Sequence, residues 1–153
     1  MSSVGKRLIW IGPADGSNQK PLLEEGVCTE AALPGAVMDY AAASAGFELM
    51  DDAATVFGKP LIVANKNEMQ SKSVDDAWTV DENMTVIRPR SGEFLHVLCV
   101  TAQALVRGTP LTRSAVTPGA LVIALLDGTQ EVLCYADEVI TTTATQLVRV
   151  RVA

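Results

Sequence analysis

Apolar residues in this chain come in short runs broken by glycine and proline, with hardly any of the three-and-four spacing of an amphipathic helix. Residues 85–111 set the pattern. Val86 and Ile87 run into Pro89, which cannot donate to a ladder and so borders a strand. Ser91-Gly92 supplies a turn. Phe94-Leu95-His96-Val97-Leu98-Cys99-Val100 then has a single polar member, which suits a strand buried on both faces. Gly108-Thr109-Pro110 closes the unit before Leu111. This spacing predicts a strand–turn–strand module at the centre of a small β-domain.

The flanking chain repeats the style. Pro34-Gly35 is a type II turn signal, because proline fixes φ and glycine supplies a positive φ, and a strand is expected after it at Ala36-Val37-Met38. Phe47-Glu48-Leu49-Met50 is a short alternating stretch, and Gly58-Lys59-Pro60 introduces a strand at Leu61-Ile62-Val63-Ala64. A helix over residues 51–57 is weakly signalled, and residues 65–83 read as polar loop. Pro118-Gly119-Ala120 echoes Pro34-Gly35-Ala36 and precedes another strand, over residues 120–125. Asp127-Gly128 is a strong hairpin signal, predicting that this strand pairs with the one over residues 131–136. The final strand, residues 147–152, alternates. Val148, Val150 and Val152 share one face, while Leu147, Arg149 and Arg151 share the other.

Residues 1–21 read as an N-terminal arm and 22–153 as a single β-domain. In the arm, Leu8-Ile9-Trp10-Ile11 is flanked by Gly5 and by a polar, turn-rich stretch. It is either the first strand of the core or a tail that docks elsewhere. The expected fold is mainly β: a small β-barrel or β-sandwich with an extended N-terminal arm.

Composition narrows the function classes. A chain of 153 residues, 48% hydrophobic and 20% charged, is long enough to bury one core without staples. Its net charge of −6 is concentrated between Glu24 and Glu82, where acids far outnumber Lys59, Lys66 and Lys72. A nucleic-acid groove would need the opposite sign, so no nucleic acid is expected as partner. Three separated cysteines, Cys28, Cys99 and Cys134, with His96 as the only histidine, give neither a disulfide framework nor a metal-ligand cluster. The apolar run after Lys6-Arg7 is too short for a signal peptide, and no run approaches a membrane span. The expectation is a protein made in a reducing cytoplasm, without a membrane partner.

No set of residues makes a recognisable active site. His96 lacks an orienting acid and a nucleophile, so it is read as a core histidine. Ser73-Val74-Asp75-Asp76 has the Ser-x-x-Asp spacing of a capped helical turn, and its paired acids have no third ligand nearby. Ser91 lacks the preceding glycine of a nucleophile elbow. No phosphate loop or dinucleotide fingerprint is present, nor the motifs of the trimeric nucleotide-hydrolysing β-fold. No catalytic residue, cofactor site or metal site is therefore assigned. A small β-barrel enzyme acting on a small molecule, and a non-viral oligomeric adaptor, stand as alternatives.

In order along the chain lie Glu25-Gly26-Val27, Leu33-Pro34-Gly35 and Val74-Asp75-Asp76-Ala77-Trp78. Then come Arg88-Pro89-Arg90-Ser91-Gly92-Glu93, Val106-Arg107-Gly108-Thr109-Pro110-Leu111, Tyr135-Ala136-Asp137-Glu138-Val139 and the terminal alternating strand. Together these resemble the head decoration, or capsid cement, proteins of tailed bacteriophages over most of residues 22–153. Ser91-Gly92 replaces the family's usual Pro-Gly, and the tract after Leu111 is less glycine-rich. The resemblance implies a non-enzymatic virion protein on the outer surface of the capsid, made in the host cytoplasm. Its partners would be the major capsid protein and itself, as a homodimer or homotrimer. Capsid docking is then expected at Arg7, Leu8, Trp10 and Ile11, with Arg149 and Arg151 making oligomer or capsid contacts.

Overall fold

The computed structural model describes residues 6–13, 17, 19–51 and 58–153. The helix expected over residues 51–57 lies almost wholly outside them. The strands in chain order are β1 (Trp10–Gly12), β2 (Leu22–Val27), β3 (Val37–Tyr40), β4 (Phe47–Leu49), β5 (Ile62–Ala64) and β6 (Asn83–Arg88). They continue as β7 (Phe94–Cys99), β8 (Ala104–Leu105), β9 (Pro110–Arg113), β10 (Leu121–Ile123), β11 (Cys134–Ala136), β12 (Ile140–Thr141) and β13 (Gln146–Val152). No helix occurs among the described residues.

Strands β7, β10, β9, β11 and β13 follow one another and close on β7, forming a five-stranded barrel. Closure removes the free edges that an open sheet of this size would expose. One edge of β7 carries β13 along its whole length, with Gln146 opposite Cys99 and Arg151 opposite Phe94. The other edge is shared: β1 pairs near Phe94 and Leu95, and β10 pairs in parallel at Cys99. A second sheet, all antiparallel, has the order β2-β6-β5-β3-β4, and β8 and β12 form a two-stranded ribbon. Both sheets contribute to one continuous apolar core, in which Ile62, Val86 and Ile87 from the second sheet join Val97, Leu121 and Val150 from the barrel.

The module over residues 85–111 is strand–turn–strand as expected, with β6 and β7 on either side of the Ser91-Gly92 turn. Its two strands take different partners: β6 pairs with β2 and β5 while β7 belongs to the barrel. The link between them carries the chain from one sheet to the other. Glu93, almost fully buried, accepts the Arg90 N–H at 3.0 Å and faces its guanidinium at 3.1 Å, and so holds the link bent. The expected Asp127-Gly128 hairpin does not form, since β9 lies between β10 and β11 and pairs with both. Asp127 instead accepts the Thr129 N–H at 2.9 Å inside the longer β10–β11 connection, where Gly128 takes φ +80°. A turn motif sets local geometry; burial of Cys134 and Leu111 against each other's strands sets the partner.

The two Pro-Gly echoes do form matching turns. Ala36 N–H reaches Leu33 O and Ala120 N–H reaches Thr117 O, with Gly35 and Gly119 at φ +88° and +76°. Both turns sit where the sheets meet. Gly35 O accepts the Leu98 N–H of β7 at 2.8 Å, and Gly119 O accepts the Val37 N–H of β3 at 2.8 Å. A Cβ on Gly35 would fall 2.2 Å from Leu147 Cδ2, so Leu147 is buried against this turn instead of sharing the exposed side of β13 with Arg151.

Candidate interaction surface

The segment Lys6 to Gly12 is held against the body by its backbone. Ile9 O accepts the His96 N–H at 2.7 Å, and the His96 ring nitrogen Nδ1 meets Leu8 O at 2.6 Å. Lys6 pairs with Glu138, whose Oε1 also accepts the Arg149 N–H at 2.6 Å. Alternation then decides what each side chain does. Ile9 is buried in the core, Leu8 is 53% exposed, Arg7 is exposed, and Trp10 and Ile11 are half-buried. Of the two readings of the arm, this part of it completes the protein's own core. The Trp10 indole packs against that core, and its Nε1 is buried without an acceptor among the described residues.

His96 therefore works as an anchor. Desolvation lowers its pKa below the ordinary histidine value, with Lys6 and Arg149 acting the same way and the Leu8 carbonyl and Glu138 opposing. The cysteines are free and buried. Burial pushes the Cys99 thiol up to about 12 and raises Cys28 and Cys134 as well, so none is poised as a nucleophile. The Ser73 segment is a capped turn and not a helix: Asp76 Oδ2 accepts the Ser73 N–H at 2.7 Å, and Ser73 Oγ accepts the Asp75 N–H at 3.1 Å.

The two C-terminal arginines are engaged within the molecule. Arg149 Nε lies 2.8 Å from Asp137 Oδ2, and its guanidinium sits 5.0 Å over the Phe94 ring. Arg151 lies 6.0 Å over Tyr135. Both remain on the surface of β13, but neither is an unpartnered cation reaching outward.

Apart from Leu8, sequence reasoning passed over the exposed apolar side chains that gather at the second sheet and the barrel's connections. Strand β2 pairs only with β6, so it forms one margin of the second sheet, and Leu22, Leu23 and Val27 on it are exposed. Leu8 and Met69 are exposed too. A second group belongs to the barrel's connections. Val106 and Val139, next in sequence to the paired Leu105 and Ile140, are exposed, and so are Leu125 and Leu126 beyond β10. The signal for β2 was present in Leu22-Leu23, but Glu24-Glu25 masked the strand.

A cleft of about 460 Å³ opens between the two sheets beside Leu22, Arg88, Glu131 and Val152. Its charges are already matched: Lys59 with Asp39, Arg88 with Glu24 at 3.6 Å, and Glu131 with the wholly buried Arg113 at 3.1 Å. Among the described residues no group of three or more His, Cys, Asp or Glu is placed to hold a metal ion. No helix among them is long and apolar enough to cross a membrane. Comparison with models of known protein families and with curated proteins gives no match.

Proposed function

We propose that this protein is a non-enzymatic structural component of a phage virion. In this reading it binds the outer surface of the capsid as a small homo-oligomer and cements neighbouring capsomers. The observation that supports the reading best is the presence of exposed apolar side chains at two places on one β-core, the second sheet and the barrel's connections. Leu8, Leu22, Leu23 and Met69 lie at the second sheet, and Val106, Leu125, Leu126 and Val139 at the barrel's connections. Apolar patches of this kind mark interaction surfaces on soluble domains. A cementing subunit needs two: one toward the shell and one toward its own copies. Modest contacts then add through effective concentration when an oligomer spans several shell subunits.

Within this proposal Arg7 and Leu8 are the arm residues free to face the major capsid protein. Trp10 and Ile11 act from half-buried positions beside them. Arg149 and Arg151, held over Phe94 and Tyr135 on the surface of β13, would contribute to oligomer or capsid contacts. The test is co-sedimentation of purified protein with expanded capsids lacking it, alongside light scattering of the free protein. Saturable binding at a fixed ratio to shell subunits, by a species of two or three chains, is the expected result. A monomer that binds no candidate shell would overturn the proposal.

A further inference from the structure

Two hollows of about 220 Å³ each share Leu23, Asn65 and Glu68, and so form one groove over the outer face of β2 and β6. One half is apolar, with Leu8 and Trp10 from the arm on one side and Leu23 and Ile87 as the floor. The other half is polar, lined by Glu25, Lys66, Asn83 and Thr85 and walled by Trp78. The Trp78 wall is rigid, because its indole N–H donates to Asn65 O at 2.6 Å and the ring is buried.

The charge of this groove is unusual for the molecule. Neighbouring acids are compensated, Glu24 by Arg88 and Glu82 by Lys72. Glu25 and Glu68, which line the groove, have no cation within ion-pair reach among the described residues, and Lys66 is the only base lining it. They lie in a stretch, residues 22–88, that holds 12 acids against 4 bases. An apolar hollow beside uncompensated carboxylates selects a ligand with both features.

We infer that this groove is a peptide-binding site. It takes an extended segment of a partner protein that places an apolar side chain over Leu23 and a lysine or arginine beside Glu68 and Glu25. Exposed Leu23 gains by being covered, and the two exposed carboxylates gain a counter-charge. The inference rests on the groove and holds whether or not the partner is a capsid subunit.

The protein's only two tryptophans stand in opposite halves of the groove, which gives a direct readout. Tryptophan fluorescence would be titrated with the peptide acetyl-Lys-Leu-Lys-Leu-Lys-Leu-amide and with its counterpart carrying Glu for Lys. The expected result is a saturable spectral change with the basic peptide alone. Glu68→Lys should weaken it about three- to tenfold, and Leu23→Asp should weaken it at least as much. Both side chains are exposed, so unchanged thermal transitions would certify that the variants fold. No saturable change, equal response to the acidic peptide, or undiminished binding by folded variants would each overturn the site. Capsid co-sedimentation is read separately, so the two proposals fail independently.

Discussion

At the residue scale the clearest contrast is between Leu8 and Ile9, neighbours of almost equal apolarity with opposite fates. Ile9→Ala should cost about 2–4 kcal/mol in denaturant unfolding, through lost burial and a cavity against Gly35 and Leu147. Leu8→Ala should stay within about 0.5 kcal/mol. His96 adds a pH dependence of definite sign. Its folded pKa is lowered, so between that value and the ordinary histidine value near 6.5 the unfolded chain binds more protons. Its contribution is complete above about pH 6.5 and is lost as pH falls through the folded pKa. Thermal unfolding followed from pH 7 to 5 should show a decline that His96→Asn removes, since an asparagine amide still donates to Leu8 O but does not titrate. Equal decline in both proteins would refute the assignment. Arg113 is the buried charge no pattern announced, because Leu111-Thr112-Arg113 follows Pro110 and reads as a turn's edge. Glu131→Ala strips it of one partner and should destabilise by about 3 kcal/mol in the same assay.

At the scale of elements, what the sequence made legible was each strand's existence more than its neighbour. The runs at residues 37–40, 47–49, 62–64, 94–99, 121–123 and 146–152 are all strands. Their signals are local: apolar alternation bounded by a Pro-Gly or Gly-x-Pro turn. Strands β2 and β9 went unread because Glu24-Glu25 and Thr112-Arg113 interrupt the alternation that a half-buried strand needs. The pairing of β9 between β10 and β11 was beyond local reading, because it depends on a core shared by segments far apart. The Pro-Gly turns were legible, but their role was not. Each inserts its peptide carbonyl between sheets, where only a residue without Cβ fits. Gly35→Ala should therefore cost about 2–4 kcal/mol, combining a left-handed backbone with the collision at Leu147. Gly58→Ala meets no such neighbour and should cost about 1 kcal/mol, a difference that paired denaturant melts would reveal.

At the scale of the whole molecule, the single core predicts that the two sheets unfold together. Cys28 reports on the second sheet's side, and Cys99 and Cys134 report on the barrel. In native protein all three thiols should resist a neutral disulfide reagent and become reactive at one common rate as denaturant is raised. Earlier labelling of Cys28 would show that the second sheet opens alone. The candidate surface shows the same division between what is local and what is global. Leu8 and Trp10 could be named from the sequence, because an apolar run beside a basic pair stands out. The groove could not, since it joins the arm, β2, β6 and the loop after β5.

The shared use of β7 also bears on force. Strands β1 and β13 both run antiparallel to β7 along its opposite edges, and so run in the same direction as each other. Tension drawing the start of β1 away from the end of β13 acts along the strand axis. It slides the ladders past β7 and loads their hydrogen bonds simultaneously instead of opening them one at a time. A shear-loaded clamp of this kind resists stretching far better than it resists peeling, which suits a molecule to hold while its surroundings strain.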